Sequence, residues 1–537
     1  MGSRVTHVIV RSSCLFLVAT VLPAQSVLRQ GGEFQVNQYT TNNQYQPSVA
    51  ASASGDFVVS WSSAGQESPG TPGIFAARFD SSGALLGGEL QVNSYTTGIQ
   101  RFSAVASADD GDFVVVWQSY QDGNLEGIFG RRFASTGTPL AAEFQVNSYT
   151  LGFQVQPDVA ADDDGDFVVV WRSTGQDGIT SHGVFGRRFD SSGAAQASEF
   201  QVSTYTVGNQ AHPSVALEGN GDFVVAWQST NLDGSGYAVI ARRFSSAGVA
   251  QGLEIQANVY TVNNQAQPAV AVDADGDFVV AWQSLQQDGP IPLGDYGIFA
   301  RPFDSVGVAR GGEFQVNVYT TDFQGLSDIA ADDDGDFVVT WQSRLQDGSL
   351  AGVFGRRFNV GGTALGPEFQ VNSYTVGQQG DPDPPAIDFD ADGDFVIAWR
   401  TTEPQDGHFA GIFAQRFSLP PLAVLDVDGN GLVGPLTDGL LHLRRRFSFS
   451  GSTLISGAVA ANCTRCSAGD IQSYLDNLGS TLDIDDNGAL EPLTDGLLVL
   501  RFMFGFTGAT LTTGAVDTQN CGRCDPAAIA LYLQTLI

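Results

Sequence analysis

Near the C-terminus, one stretch spaces oxygen-bearing side chains as a calcium loop does. The segment LDVDGNGLVGPLTDGLL (425–441) places Asp426, Asp428 and Asn430 at alternate positions, and Gly431 follows where such a loop must bend. Ca²⁺ is a hard cation that takes six to eight oxygen ligands, and a tight loop with alternate carboxylate and amide groups can supply several of them. The residue types and their spacing therefore predict a calcium site.

The loop departs from the usual pattern where it closes. The residue eleven positions after Asp426 is Thr437, and the acid, Asp438, comes one residue late. A second copy, LDIDDNGALEPLTDGLL, begins at Leu482 and has the same delay, since 438 − 426 and 495 − 483 are both 12. A chance defect would not be expected to recur, so the late acid is interpreted as this motif's own closure. The alternative is an Asx-rich turn that begins a helix without metal.

The predicted ligands are the side chains at the alternate positions, a main-chain carbonyl and the late acid of each copy. In the first copy they are Asp426, Asp428, Asn430, Leu432 (carbonyl) and Asp438; in the second they are Asp483, Asp485, Asn487, Ala489 (carbonyl), Glu491 and Asp495.

This duplicated segment resembles a dockerin-type pair of calcium loops, related to the loop–helix half of an EF-hand. The resemblance covers about 20 residues per copy and about 110 residues with the intervening sequence. It implies a small α-helical domain over 419–537 that binds Ca²⁺. Dockerins, as a family, bind cohesin modules and attach secreted polysaccharide-degrading enzymes to scaffolds or cells. The resemblance therefore implies docking to a cohesin-like or other extracellular protein.

Each loop is followed by a predicted helix and a pair of cysteines. Leu440, Leu443 and Phe447 follow helical spacing, and the second copy repeats it. The cysteine pairs could form disulfides or a Cys₄ zinc site, but 54 residues separate them, which is too many for a compact zinc ribbon. Disulfides within each pair and disulfides between the repeats both remain possible. The four cysteines are Cys463, Cys466, Cys521 and Cys524.

The N-terminus reads as an export signal. Arg4 and Arg11 precede the apolar run CLFLVATVL (14–22), and PAQS then offers a small-residue cleavage site. Residues 1–26 are therefore predicted to be a signal peptide, and the protein to be secreted or held at the cell surface. An oxidising compartment favours disulfides. The run is too short to serve as a permanent membrane span.

The chain is strongly acidic, with 58 acidic and 25 basic residues and a formal charge of −33. This charge excludes nucleic acid and anionic membranes as partners recognised through bulk electrostatics. It suits a soluble protein that attracts cations.

Between about Glu33 and Phe417 the sequence repeats seven times, with a step of about 56 residues. Each copy has a GDFVV-like segment that ends in Trp and four short runs rich in Val, Phe and Ile, separated by Gly, Asp and Asn. Four strands per repeat predict a mainly β fold, a seven-bladed β-propeller over 27–418. An open solenoid is the alternative. The repeated tryptophans are Trp61, Trp117, Trp171, Trp227, Trp282, Trp341 and Trp399.

The order of the runs favours a closed ring. An EFQVN-like run at Glu33 comes before any other repeat element, and none follows the last GIFAQRF (411–417). The N-terminal strand is therefore predicted to complete the seventh blade and remove an exposed edge. The Trp and Phe side chains are expected to pack between blades, and the Arg of GRRF to pair with acids there.

Four repeats carry alternating aspartates in a turn, as in DDDGD (162–166). Such turns could hold Ca²⁺, but Asp also stabilises turns by bonding its own backbone, and no downstream acid completes a ligand set. Plain hairpin turns are the favoured interpretation.

The sequence contains no recognisable catalytic motif. Histidine is scarce, and His182, His212 and His408, which break the repeat, are each expected to stand alone in a loop. The segment DPDPP (381–385) is a further irregularity, at the entry to blade seven. The leading hypothesis is a non-enzymatic binding scaffold whose propeller recognises a protein or a glycan. The alternatives are a polysaccharide-degrading enzyme, with a hydrolase or lyase site on the propeller, and a surface structural protein.

Overall fold

The computed structural model describes residues 27–537 except 69, 179–180, 289–295, 381, 403–404, 406, 408, 419–423, 431–432, 461–462, 464, 519, 535 and 537. The predicted signal peptide, Leu432 and His408 therefore lie outside the described residues. The chain divides between residues 420 and 421 into two compact units.

The N-terminal unit contains seven antiparallel sheets of four strands each. Strand β1 is Leu28–Gln35. Blade one contains β2 Gln44–Ala51, β3 Phe57–Ser68, β4 Thr71–Phe79 and β5 Leu90–Gln91; blade two contains β6 Gln100–Ser107, β7 Phe113–Ser119, β8 Gly127–Phe133 and β9 Phe144–Gln145. Blade three contains β10 Gln154–Ala161, β11 Phe167–Thr174, β12 His182–Phe189 and β13 Phe200–Gln201; blade four contains β14 Gln210–Leu217, β15 Phe223–Thr230, β16 Tyr237–Phe244 and β17 Ile255–Gln256. Blade five contains β18 Gln265–Val272, β19 Phe278–Leu285, β20 Tyr296–Phe303 and β21 Phe314–Gln315; blade six contains β22 Gln324–Ala331, β23 Phe337–Arg344, β24 Ala351–Phe358 and β25 Phe369–Gln370. Blade seven contains β26 Ala386–Phe389, β27 Phe395–Thr401 and β28 Gly411–Ser418, together with β1.

The sheets form a closed ring, which confirms the predicted propeller. The first strand of each blade contacts the first strand of the next, and β26 of blade seven contacts β2 of blade one. Strand β1 pairs with β28 in antiparallel register, with Leu28 opposite Ser418 and Phe34 opposite Ala414. The N-terminal strand therefore completes the seventh blade, as the order of the runs predicted, and the solenoid alternative is excluded.

Apolar side chains from neighbouring blades form the core. All seven Trp side chains are at most 1% exposed, and the Phe residues at the two ends of each central hairpin stack, as Phe167 and Phe189 do with ring centroids 4.9 Å apart. The predicted packing of the aromatic residues between blades is confirmed. The two arginines of GRRF behave differently. The second one pairs with an acid, as predicted, in blade six, where Arg357 lies 2.7 Å from Asp336 of the same blade. The first one does not. Arg131 donates to the Val92 carbonyl oxygen (2.9 Å) and Arg187 to that of Val146 (2.8 Å), so each ties its blade to the outer edge of the preceding one through a carbonyl, not an acid.

The C-terminal unit consists of short helices around one apolar core. They are α1 Asp438–Arg446, α2 Ser452–Ile455, α3 Ala468–Asn477, α4 Leu497–Met503, α5 Ala509–Thr512 and α6 Pro526–Gln534, with a 3₁₀ turn at Gly479–Leu482 and a π-helical turn at Pro492–Gly496. Leu441 on α1, Leu475 on α3, Leu498 on α4 and Leu533 on α6 are fully buried in this core. In the described part of the chain, no helix is long and apolar enough to cross a membrane.

The acidic turns of the propeller bond their own backbones. Asp273 Oδ1 accepts the N–H of Asp275 (3.0 Å) and of Asp277 (2.9 Å), and Asp162 accepts the N–H of Asp166 (2.8 Å). This arrangement agrees with the hairpin-turn interpretation. The carboxyl groups are crowded, however. Burial, together with the nearby charge of Asp277, raises the pKa of Asp273 to about 7.

We expect Asp273→Asn to stabilise the protein at pH 8 and to leave it unchanged at pH 4. An asparagine oxygen still accepts both turn N–H groups, so the substitution removes only the charge. Because the folded-state pKa exceeds the unfolded value of about 4, the ionised carboxylate destabilises the fold; that cost is absent below pH 4 and complete above pH 7. Chemical denaturation should show a gain in the free energy of unfolding of up to about 4 kcal/mol at pH 8. Asp275→Asn, in the same turn and exposed, is the control. An equal gain at both pH values would contradict the assignment.

Candidate calcium site

In each copy of the C-terminal repeat, three buried aspartates converge. Oxygen atoms of Asp426, Asp428 and Asp438 all lie within 4.8 Å of one another. The second copy brings Asp483, Asp485 and Asp495 together in the same way. The late acid of each loop therefore reaches the acids that begin it.

A π-type turn accommodates the extra residue of the closure. The N–H of Gly439 donates to the carbonyl oxygen of Gly434 (3.1 Å), and that of Gly496 to Glu491 (3.2 Å). Each bond spans five residues, where an α-helix spans four, so one added residue is absorbed before α1 and before α4 begin. This turn directs the carboxylates of Asp438 and Asp495 back into the loops.

The closing carboxylates organise the loop backbone. Asp438 Oδ1 accepts the N–H of Val427 (2.7 Å), and its Oδ2 accepts that of Gly434 (2.8 Å). Asp495 makes the matching bonds with Ile484 (2.6 Å) and Glu491 (2.8 Å). Each closing acid thus links the start of the loop to its end.

One carboxylate oxygen in each loop has no donor. Asp428 Oδ2 accepts the N–H of Ala460 (2.8 Å), and Asp485 Oδ2 accepts that of Asp517 (2.9 Å). The Oδ1 atoms of Asp428 and Asp485 are buried without a hydrogen-bond partner among the described residues, and both side chains are 0% exposed. Burying a charged oxygen without a partner costs free energy. Both loops therefore have a buried carboxylate oxygen that needs a hydrogen-bond donor or a cation.

The electrostatics of the two clusters favour a cation. Burial, followed by the charge of Asp438, raises the pKa of Asp428 to about 6. Burial also raises the pKa of Asp438, Asp485 and Asp495. Three carboxylates that repel one another in a low-dielectric site would be relieved by a divalent cation with oxygen preference.

The remaining predicted ligands are placed differently in the two copies. Asn430 is buried, and its N–H donates to Asp426 Oδ1 (3.1 Å). Asn487 turns its side-chain oxygen to the N–H of Ala489 (2.7 Å). Ala489 and Glu491 are exposed, and the Glu491 carboxylate does not belong to the three-acid cluster of the described residues.

Sequence reasoning missed an arginine that supports each loop. The Arg465 side chain donates to the carbonyl oxygens of Asp426 and Val427 (3.1 Å to the latter), and its guanidinium lies 4.0 Å from the Tyr474 ring centroid. Arg523 contacts the second loop and Tyr532 in the same manner, at 3.7 Å from the ring. The signal was present in the sequence, because CTRC and CGRC place an Arg at the same position of both cysteine pairs.

The cysteines pair locally. Cys463 is bonded to Cys466 and Cys521 to Cys524, with Cα atoms 5.3 and 5.4 Å apart. Each disulfide encloses the tight turn that presents Arg465 or Arg523 to its loop. The arrangement answers the open question of connectivity, and it excludes the Cys₄ zinc alternative because the thiols are consumed.

Comparison with known proteins gives no family for the chain. No family model and no curated protein sequence matches it. Among solved structures, a protein of unknown function from Dyadobacter fermentans is 10% identical and covers 73% of this chain and 99% of its own, with a TM-score of 0.45. An α-L-arabinanase of Penicillium chrysogenum complexed with arabinobiose is 12% identical (60% and 94% covered, TM-score 0.42), and the polysaccharide lyase Uly1 is 10% identical (74% and 100% covered, TM-score 0.43). Likenesses this distant support no conclusion about activity.

We expect Arg465→Met to loosen the first loop. Methionine keeps an apolar stem against Tyr474 but removes both side-chain bonds to the loop carbonyls, and a bond to a charged donor contributes about 1.5–3 kcal/mol. Hydrogen exchange of peptides covering residues 424–430 should accelerate at least about tenfold. Arg445→Met is the matched control, since the bonds that the Arg445 side chain donates (2.8 and 2.7 Å) go to the exposed Asp476 and not to a loop carbonyl. Equal exchange in the two variants would contradict the supporting role.

Proposed function

We propose that the protein is an exported calcium-binding protein. Its C-terminal unit would hold two Ca²⁺ ions and dock a partner, and its propeller would be the scaffold that recognises a protein or a glycan. One observation supports the calcium assignment most directly: the same carboxylate oxygen, Oδ1 of Asp428 and of Asp485, is buried without a donor in both copies.

The donor set suits Ca²⁺ chemically. The three carboxylates of each loop offer hard oxygens. One Ca²⁺ in each loop would supply the positive charge that balances these buried carboxylates. In the first loop the ion would be held by Asp426, Asp428 and Asp438, with Asn430 and the carbonyl of Leu432 as further proposed ligands. In the second it would be held by the corresponding Asp483, Asp485 and Asp495, with Asn487, Ala489 and Glu491 as further proposed ligands.

Exposed leucines beside the closures support docking that depends on calcium. Leu436 and Leu493 occupy the same position of PLTDG, two residues before each closing acid, and are 63% and 65% exposed. An ion that orders Asp438 and Asp495 would also order these side chains. The two leucines would each offer an apolar contact at an equivalent place in the duplicated unit, which fits a cohesin-like or other extracellular protein as the partner.

The proposal that the protein is exported is based on the predicted signal peptide at residues 1–26. The proposal that the propeller binds a ligand is based on its fold. The enzyme alternative, a hydrolase or lyase site on the propeller, gains no support from the distant solved structures and is not adopted.

We expect the full-length chain to bind two equivalents of Ca²⁺, and Asp428→Asn or Asp485→Asn to bind one. Asparagine can still accept the N–H of Ala460 or Asp517, but it replaces the unpartnered anionic oxygen with a neutral amide. Calorimetric titration should give dissociation constants within the roughly 10⁻⁷–10⁻³ M range of loops of this type. At about a hundredfold excess over the dissociation constant, Ca²⁺ should stabilise the C-terminal unit by about 2.7 kcal/mol per site.

The double variant should bind no Ca²⁺, and the exposed control Asp476→Asn should bind two equivalents. A wild-type chain that neither binds nor is stabilised by Ca²⁺ would overturn the assignment, and so would a double variant that still binds both ions.

A further inference from the structure

The first strand of each blade begins at the end of the ring opposite the acidic turns. A backbone conformation and a hydrogen bond recur there from blade to blade. The first strands of the blades contact one another around the ring, so they line its axis. Six of them carry a non-glycine residue with φ between 49° and 58° at the same place, and the N–H of each donates to a side-chain oxygen from the preceding blade. These residues are Gln46, Phe102, Gln156, His212, Gln267 and Leu326. Five of the accepting groups are Gln amides, and the sixth is the carboxylate of Asp383.

We call this ring of N–H groups, at the end of the first strands, the channel mouth. Beside it, three arginines stand at positions where most other blades carry another residue. Arg172 and Arg400 stand after the repeated Trp, where blades two, four, five and six have Gln. Arg101 stands at the start of β6, where other blades have Tyr, Val, Ala or Gly. Residues that hold the repeated architecture recur in every blade, so these departures are candidates for a role that the repeat does not need.

Two of the arginines are paired with buried acids. Arg101 lies 2.9 Å from Glu126, which also accepts from Gln118 (2.9 Å), and Arg400 lies 3.2 Å from Asp383. Glu126 and Asp383 are only 3% and 7% exposed. Asp383 comes from the irregular DPDPP segment, so that irregularity supplies the acid for this end of the ring. The charges of these two pairs cancel.

Arg172 is not paired. It is half-buried, its Nε is buried without an acceptor, and the guanidinium makes no hydrogen bond or ion pair within the described residues. Burial, and then the charge of Arg172, lowers the pKa of His212 and of His182, so the three groups lie in one neighbourhood. Tyr237 and Glu126 also act on Arg172, and Asp177 acts on His182; Glu126 is already paired with Arg101. A chain with a formal charge of −33 therefore keeps, at the channel mouth, a guanidinium with no direct ion-pair partner among the described residues.

Neutral hydrogen-bonding groups lie along the channel mouth, some beside Arg172 and others beside Arg101 and Arg400. His212 and His182 lie in strands β14 and β12, not in loops as predicted from the sequence. Burial, and then Arg172, lowers the pKa of His212 to about 4, so its ring is neutral at pH 7; its Nε2 lies 3.2 Å from Gln156 Nε2. Burial raises the pKa of Tyr45, which keeps its hydroxyl protonated. Phe102, 37% exposed, adds an apolar surface next to Arg101.

We propose that the channel mouth binds an acidic sugar chain, with the Arg172 guanidinium receiving a carboxylate. A guanidinium without a partner matches the planar, bidentate geometry of a carboxylate. His212, Gln156 and Tyr45 supply neutral donors and acceptors for hydroxyl groups, and the aromatic side chains supply faces for a sugar ring. This inference deepens the binding role proposed for the propeller by naming a ligand class, and it does not depend on calcium.

Calorimetric titration of the full-length chain with tetragalacturonate and with a hyaluronan tetrasaccharide, in EDTA, tests the inference. We expect at least one of these acids to bind. When tetragalacturonate binds, its methyl ester, which keeps the shape and loses the charge, should bind at least tenfold more weakly; when the hyaluronan tetrasaccharide binds, its carboxyl-reduced form should do the same.

The decisive variant is Arg172→Gln, because it restores the residue that four other blades carry at this position. It has no partner to lose among the described residues, so its melting temperature should be unchanged, while its affinity for the acidic sugar should fall at least tenfold. Arg188→Met, at the opposite end of the same blade, should bind as the wild type does. Failure of both acidic sugars to bind, or equal affinity in Arg172→Gln, would overturn the inference. Because the titration is done without Ca²⁺, that failure would leave the calcium proposal standing.

Discussion

Pairing of β1 with β28 is the interaction on which the propeller depends. Each blade buries its faces against its two neighbours, so a ring that did not close would expose apolar faces of blades one and seven together with a strand edge. The N-terminal strand removes both liabilities, because it belongs to the last blade in space and to the first in sequence. Every other contact between blades, including the Arg bonds to preceding carbonyls, assumes this closed arrangement.

The closed ring separates two kinds of residue. Those that recur seven times, such as the Trp and the stacked Phe pairs, hold the blades together and leave nothing specific for a ligand. Three that depart from the repeat lie at one end of the inner strands, where Arg101, Arg172 and Arg400 replace smaller or neutral residues. A symmetric scaffold can acquire a single asymmetric site in this way without changing its packing.

The C-terminal unit uses duplication for a different purpose. Two loops repeat not only their acids but also the π-type turn, the returning carboxylate and the disulfide-bound turn with its Arg. These parts act together because a buried acidic cluster is unstable unless the backbone around it is held and its charge is met. The Arg side chains bond main-chain carbonyls of the loops, and the three acids of each loop converge on one another.

Much of this could be read from the sequence. Periodic Val, Phe and Trp determined seven four-stranded blades, since alternation and turn residues act locally, and the offset of the first run determined how the ring closes. Alternate Asp predicted that the acids of each loop lie together, and two equal delays identified Asp438 and Asp495 as the acids that return to them. Only the tertiary structure showed how these two acids reach the other acids of their loops although each comes one residue late. The π-type hydrogen bond that makes this possible depends on backbone geometry that composition does not encode. The tertiary structure alone decided that the disulfides are local and that Arg465 and Arg523 support the loops. It also decided that Arg172 lies beside His212, and Arg400 beside Tyr45, at one end of the ring, since contacts between blades are set by the closure and not by local pattern.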